Sequence, residues 1–114
     1  MTCMSKNFLQ KKCVPCEGGA QPLSPEDVKK YISEVSDWHA DPDVKSIGRQ
    51  FKFASFMDAI AFINTVAALA EEENHHPDIH AYYNKVTLNL STHAIGGLSE
   101  NDFILAAKID ALKQ

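Results

Sequence analysis

The sequence predicts an α+β fold, a two-layer sandwich in which three helices cover one face of a four-stranded, mostly antiparallel sheet. Three Ser-x-x-Asp segments each begin a stretch of helical periodicity. Between them lie two pairs of segments in which apolar and polar residues alternate, as in half-buried strands. The predicted order is therefore helix, strand, strand, helix, strand, strand, helix. Two hairpins separated by a helix favour one sheet with its helices on a single side.

Composition and charge are those of an ordinary globular domain. The chain has 114 residues, of which 45% are apolar and 23% charged, enough for one core of two layers. A net charge of −4 and a single arginine, Arg49, give no electrostatic footprint for nucleic acid. No apolar run reaches the length of a membrane span, and the first residues lack the apolar core of a signal peptide. We therefore expect a cytoplasmic protein without nucleic-acid or membrane partners.

Residues 1–23 show no helical or strand period, so they predict a loosely held arm before a single domain over residues 24–114. The arm contains all three cysteines, Cys3, Cys13 and Cys16. An odd number of cysteines in a tail argues against a disulfide framework. Cys13-Val-Pro-Cys16 has zinc-knuckle or redox spacing, but a closed zinc site needs four ligands and no second such pair follows. A minor tail feature is favoured over metal binding or redox chemistry.

The three helix starts share one capping pattern. Ser24 is followed by Pro25 at the first helical position, and comparable starts occur at Ser55-x-x-Asp58 and Ser99-x-x-Asp102. Each cap contributes about 1 kcal/mol. The second helix carries an apolar stripe broad enough to meet both a sheet and a neighbouring subunit. That stripe consists of Phe56, Ile60, Phe62, Ile63, Val66, Ala67, Leu69 and Ala70.

The first hairpin is predicted around a turn at Asp41-Pro42-Asp43, after Trp38 and His39. Beyond the turn, Ile47, Phe51 and Phe53 alternate with polar residues, and Arg49 is the exception on the apolar side.

The second hairpin is predicted to turn at Asn84-Lys85. That turn pairs Ile79 with Leu90 and collects the other apolar residues on the same face, which supports the register. Extended beyond the strands, the register brings His76 opposite His93. The intervening proline ends regular pairing, so we predict proximity of the two rings and not ladder bonding.

Three of the five histidines, His75, His76 and His93, are thus predicted to converge from a helix exit and a strand end. The helix terminus and the nearby acids, Glu71–Glu73 and Asp78, favour protonated rings. Histidines titrate near neutral pH, which suits general acid–base chemistry. From the residues alone, a structural role and a zinc site of three histidines stay open. His39 and His80 are interpreted as surface or boundary residues.

Four motifs stand in this region: Glu71-x-x-Asn-His-His-Pro-Asp78, Tyr83-Asn-Lys-Val86, Ser91-Thr-His93 and Gly97-Leu-Ser-x-x-Asp102. Together they resemble the pterin-4a-carbinolamine dehydratases, over roughly residues 24–112. The fold of that family, a four-stranded antiparallel sheet with three helices, agrees with the fold predicted above.

The resemblance implies that the chain dehydrates 4a-hydroxytetrahydropterin to quinonoid dihydropterin in tetrahydropterin recycling. His75 and His93 would then act as acid and base on the departing hydroxyl, and His76 would orient the pterin or share proton transfer. No metal or organic cofactor is required. The implied substrate-binding residues are Asn74, His75, His76, Pro77, Ser91, Thr92 and His93, and the implied supporting residues are Glu71, Asp78 and Asp102.

The resemblance also carries alternatives. Animal members of the family bind a homeodomain transcription factor and stabilise its dimers, so an interaction protein is one alternative, and a dehydratase for another pterin-like substrate is a second. The family commonly forms homotetramers, which implies a homo-oligomer, dimer or tetramer. Two positions depart from the family: Asn74 stands where Asp is frequent, and Ile79 stands where many members have Trp.

Overall fold

A computed structural model of the protein describes residues 21–112. Within them the α+β order is confirmed, with one short 3-10 helix added before the last helix. Cys3, Cys13 and Cys16, with residues 1–20 of the predicted arm, lie outside the described residues. The elements are α1 Pro25–Ile32, β1 His39–Ala40, β2 Ile47–Lys52, α2 Phe56–Glu73, β3 Asp78–Tyr82, β4 Lys85–Leu90, the 3-10 helix His93–Ile95 and α3 Glu100–Leu112.

The four strands form one antiparallel sheet in the order β1-β2-β4-β3. The two predicted hairpins are therefore joined edge to edge through β2 and β4. Alternation decides which face is covered, because successive side chains of a strand point to opposite sides. The apolar residues of the central strands are fully or almost fully buried beneath the helices: Ile47, Phe51, Val86, Leu88 and Leu90.

The second hairpin turns one residue earlier than the sequence predicts. Ile79 lies opposite Leu88, and the turn is formed by Tyr83 and Asn84, so the predicted turn at Asn84-Lys85 is wrong. Two hydrogen bonds of 2.9 Å fix the turn there: the side-chain amide of Asn84 donates to the carbonyl of Phe53, and the Phe53 N–H donates to the carbonyl of Asn84. The register shifts by two residues, which leaves the apolar residues on the same face.

The register that sets His76 opposite His93 is wrong for the same reason, and the proximity of the two rings stays a prediction. Both residues lie outside β3 and β4, and the observed register, if extended, would set Asn74 opposite His93. Which residue faces His93 thus depends on the position of the β3–β4 turn, and Phe53, which lies outside both strands, fixes that position.

Helix α2 begins at the predicted cap, where the Ser55 hydroxyl accepts a hydrogen bond from the Asp58 N–H at 3.1 Å. Its buried residues are Ala59, Phe62, Val66, Ala70 and Glu73. Of the predicted stripe, Phe56 and Ala67 are exposed. The helix is apolar around much of its circumference, so aromatic packing orients it. The centroid of the Phe62 ring lies 4.8 Å from that of Phe51 in β2 and 5.0 Å from that of Phe53 just after β2. No helix within residues 21–112 is both long enough and apolar enough to cross a membrane.

Helix α3 is buried over most of its length, residues 101–107 without interruption. Near its end, Asp110 accepts a hydrogen bond from the Trp38 indole at 2.8 Å and forms an ion pair with Arg49 at 2.7 Å. Burial raises the pKa of Asp110, although Trp38 and Arg49 both oppose the rise. The inward-facing Arg49 of β2 is thus compensated by a carboxylate from the last helix, and its guanidinium also lies over the Phe51 ring at 4.3 Å.

Candidate active site

The end of α2 determines where the paired histidines begin. Asn74 adopts a left-handed conformation, with φ 55° and ψ 41°, and its N–H is donated to the carbonyls of Ala70 and Glu71. The His75 N–H is also donated to the Ala70 carbonyl, at 3.1 Å. Asparagine is one of the few residues other than glycine that reach this conformation at low cost. The chain therefore leaves the helix in a fixed direction, and Pro77 prevents the helix from continuing.

His75 is held by a buried carboxylate. Its Nε2 lies 2.6 Å from Oδ1 of Asp102, and the exposed fractions of the two side chains are 12% and 0%. The second oxygen of Asp102 accepts hydrogen bonds of 2.9 Å from the Thr92 hydroxyl and from the Ser99 N–H. An ionised carboxylate can only accept, so we assign the proton of this hydrogen bond to Nε2. Nδ1 is then the His75 nitrogen left for other chemistry.

The loop between β4 and α3 brings these groups together. Thr92 and Gly97 exchange backbone hydrogen bonds of 2.8 Å and 3.4 Å, which close the loop on itself. Gly96 makes the closure possible because its φ of 68° is a conformation that glycine adopts without strain. The Thr92 hydroxyl, once brought beside α3, also bonds the Ser99 hydroxyl at 2.7 Å.

The third predicted capping box is present in one half only. The Asp102 carboxylate accepts from the Ser99 N–H, which is one of the two bonds of such a box. The other bond of the box, from the Asp102 N–H to the Ser99 hydroxyl, is replaced. The Asp102 N–H donates to the Ser99 carbonyl at 3.1 Å, and the Ser99 hydroxyl is bonded to the Thr92 hydroxyl. The same helix start therefore caps α3 and fixes the carboxylate that holds His75.

His76 belongs to a second, exposed unit. Its Nε2 lies 2.6 Å from Oε2 of Glu71, and their side chains are 54% and 78% exposed. A hydrogen bond this exposed contributes little to stability. It does restrict the ring of His76 while leaving the ring accessible from solvent.

His93 is exposed and begins the 3-10 helix, directly after buried Thr92. Of the other residues implied by resemblance, Asn74 and Asp78 are exposed, while Pro77 and Ser91 are half-buried. The structure thus brings His75, Thr92 and Asp102 into one bonded unit and pairs His76 with Glu71 in another. His93 is joined to the first unit through its backbone neighbour.

Sequence reasoning missed two residues near this site. Ser99 was expected only as a cap, although the Ser-x-x-Asp pattern that predicts the cap also signals its bond to Asp102. The sequence indicates Glu73 only as one of three acids near the histidines, but it is 5% exposed and bound to Lys108. Its helical spacing from buried Val66 and Ala70 was the available signal.

Within residues 21–112, no three His, Cys, Asp or Glu side chains are grouped so that they could hold a metal ion. The alternative of a zinc site built on His75, His76 and His93 therefore finds no ligand set in this part of the chain.

The fold and the site define a small α+β protein in which a buried carboxylate holds a histidine at a helix exit. Residues 21–112 match the family model described as pterin 4 alpha carbinolamine dehydratase. The chain belongs to the pterin-4-alpha-carbinolamine dehydratase family.

Two relatives illustrate the similarity, each provisionally named a pterin-4-alpha-carbinolamine dehydratase. The protein of Halorhodospira halophila is 48% identical over 106 residues, which is 93% of this chain and 97% of the relative. That of Nitrosospira multiformis is 47% identical over 108 residues, covering 95% and 94%.

Two solved structures share the fold. A protein of Brucella melitensis described as a transcriptional coactivator/pterin dehydratase has a TM-score of 0.78 and 30% identity, and the match covers 82% of this chain and all 100% of that one. A pterin dehydratase-like protein identified as a RuBisCO assembly factor in the alpha-carboxysome has a TM-score of 0.58 and 28% identity, covering 67% and 88%.

Proposed function

We propose that this protein dehydrates 4a-hydroxytetrahydropterin to quinonoid dihydropterin and water by histidine general acid–base catalysis. One observation carries the proposal: in a chain of this family, Nε2 of His75 lies 2.6 Å from a fully buried Asp102 carboxylate. A histidine fixed in this way keeps one nitrogen bound and the other available, which is the arrangement that positioned proton transfer needs.

The reaction breaks the C4a–O bond and removes a proton from N5, and a double bond forms between N5 and C4a. Hydroxide is a poor leaving group, so the departing oxygen must receive a proton as the bond breaks. One acid and one base therefore suffice, and no electrons are gained or lost overall. General acid–base catalysis of this kind contributes about 10²- to 10⁴-fold.

In this proposal, His75 donates its proton from Nδ1 to the departing hydroxyl. The protonated ring is stabilised by Asp102, whose charge is in turn oriented by the Thr92 hydroxyl and the Ser99 N–H. The Thr92 hydroxyl is thereby occupied, so we assign Thr92 to the support of Asp102.

His93 is the second acid–base residue in the proposal, and it receives the proton from N5 directly or through water. His76, held by Glu71, orients the pterin ring or shares proton transfer. Its exposure agrees with a role in binding a ligand that arrives from solvent. Asn74, Pro77 and Ser91 are proposed as the surrounding substrate contacts, with Asp78 in a supporting role.

The proposal extends to the setting of the reaction. The quinonoid product must be reduced before it can serve again, so we place the protein in tetrahydropterin recycling in the cytoplasm.

We also propose a homo-oligomer, dimer or tetramer. The exposed apolar side chains at the start of α2, Phe56 at 47% and Met57 at 70%, support this. Light scattering that finds only a monomer would contradict it.

The test is a dehydration assay on the purified chain with 4a-hydroxytetrahydropterin generated in situ, with and without a chelator. We expect the chain to accelerate water loss over buffer alone, and His75→Ala and His93→Ala each to remove most of the acceleration. Circular dichroism controls for folding. Wild-type rates in both folded variants would reject the assignment.

A second candidate is an interaction protein, favoured by the descriptions of the two solved relatives as a coactivator/dehydratase and as an assembly factor. A correctly folded chain that leaves the dehydration rate at that of buffer would favour this candidate. A chain that accelerates dehydration of a different pterin-like compound would favour a related dehydratase instead.

A further inference from the structure

A partly buried ion pair joins α2 to α3 beside the proposed site. Glu73, the last residue of α2, has a side chain that is 3% exposed, and its Oε2 lies 2.6 Å from Nζ of Lys108, whose side chain is 16% exposed. The two preceding residues, Glu71 and Glu72, are exposed. Of these three consecutive acids, Glu73 is therefore the one that is buried, and it is paired with Lys108.

Stability alone does not account for such a pair. Removing two charges from water costs several kcal/mol, and apolar residues of similar volume often stabilise a protein as well or better. A buried pair of this kind does restrict geometry, because a displaced partner leaves an uncompensated charge in a poorly solvated place. The pair between Glu73 and Lys108 therefore restricts how the end of α2 lies against α3.

Glu73 lies close enough to His75 in the chain to influence its position. Only Asn74 separates Glu73 from His75, and its left-handed conformation is fixed by bonds to the last turn of α2. The His75 N–H belongs to the same cap through its bond to the Ala70 carbonyl. The backbone of His75 is therefore a rigid continuation of the helix that Glu73 anchors.

Helix α3 accordingly holds the exit of α2 at two points. Asp102 binds the His75 ring, and Lys108 binds Glu73, six residues or about 9 Å further along the helix axis. Apolar packing sets the general position of α2. Two separated polar contacts constrain the orientation of its exit more closely than one contact would.

We infer that Glu73 and Lys108 are positioning residues for His75: their ion pair sets the approach of α2 to α3 at which the His75–Asp102 hydrogen bond forms. The expected effect on catalysis rests on the proposed function. The dependence of the His75–Asp102 hydrogen bond on the Glu73–Lys108 ion pair does not rest on it.

The test follows the imidazole N–H proton of His75 by nuclear magnetic resonance in the absence of any substrate. The resonance is identified by its loss in His75→Gln. It is then compared in Glu73→Gln, in the double variant Glu73→Met/Lys108→Met, and in Glu72→Gln. The last is the matched control, since it removes the same charge from an exposed neighbour.

We expect wild-type behaviour from Glu72→Gln. In Glu73→Gln and in the double variant, the His75 proton should exchange with solvent about tenfold faster or broaden beyond detection, because the cap opens more readily. In the dehydration assay kcat should fall about 10- to 100-fold with KM changed less than about twofold, since misplacement of a catalytic ring affects the chemical step.

The double variant replaces both charges by apolar side chains and is expected to fold even where the single variant does not. A wild-type resonance and kcat in the double variant would overturn the inference, as would an equal effect of Glu72→Gln. A chain without dehydratase activity would reject the proposed function, and the resonance alone would then still decide whether Glu73 and Lys108 position His75.

Discussion

Nε2 of His75 lies 2.6 Å from Oδ1 of Asp102, and that carboxylate has no exposed surface. The two residues are contributed by the exit of α2 and the first turn of α3. The second carboxylate oxygen accepts hydrogen bonds from the Thr92 hydroxyl and the Ser99 N–H. The orientation of His75 therefore depends on three groups, this carboxylate and its two donors, which come from the loop after β4 and the start of α3.

Asp102→Asn tests this relationship most directly. The amide keeps the shape of the side chain but loses the charge that stabilises a protonated His75, so we expect kcat to fall about 10²- to 10⁴-fold. Steady-state dehydration kinetics measure it. Asp58→Asn is the matched control, because Asp58 holds the equivalent position in the first turn of α2 and is exposed. Equal losses in the two variants would show that the effect comes from helix capping.

Thr92→Val removes one hydrogen bond to Asp102 and one to Ser99 with little change of volume. We expect a loss of about 1–3 kcal/mol in the free energy of unfolding, because the buried Oδ2 of Asp102 loses one of its two donors. Denaturant titration measures it. Thr65→Val is the control, since the Thr65 hydroxyl bonds only within its own helix at an exposed position. Unchanged stability in Thr92→Val would mean that water replaces the hydroxyl.

Asp110 makes stability depend on pH in a defined direction. Burial raises its pKa above the ordinary 3.8, so the native state binds this proton more tightly than the unfolded state does. The contribution of Asp110 to stability is then largest below pH 3.8 and declines as pH rises through the raised pKa. The difference in unfolding free energy between wild type and Asp110→Asn should shrink over that range. Parallel denaturant titrations measure it, and a difference that grows with pH would contradict the sign.

Tyr83 holds the first position of the β3–β4 turn with φ 54°, a conformation that costs a residue with a β-carbon about 1–2 kcal/mol. Its side chain is 71% exposed, so little packing is lost on its removal. Tyr83→Gly should therefore raise the thermal midpoint. The neighbouring Tyr82 lies in β3 with extended backbone, and Tyr82→Gly should lower the midpoint, because glycine weakens a strand. Changes of the same sign in both would exclude the conformational explanation.

The sequence by itself determined the order of elements, the three helix starts and the faces of the strands. These features depend on residues close together in the chain: a serine and an acid three positions apart, or apolar residues at every second position. Ser24 and Ser55 cap their helices as predicted for this reason. The residue types of the candidate site were also readable, because His75, His76 and Asp102 stand in short motifs.

Only the tertiary structure decided the features that depend on a distant partner. The β3–β4 turn moved by one residue because Phe53 binds Asn84 across 31 positions. The buried face of α2 was selected by the rings of Phe51 and Phe53, and this selection turned Glu73 inward to Lys108. His75 was separated from His76 because one ring reached a buried carboxylate and the other an exposed one. Local sequence patterns allow several turn positions, buried helix faces and side-chain partners. Contacts that exist only after the chain has folded decide which of them is adopted.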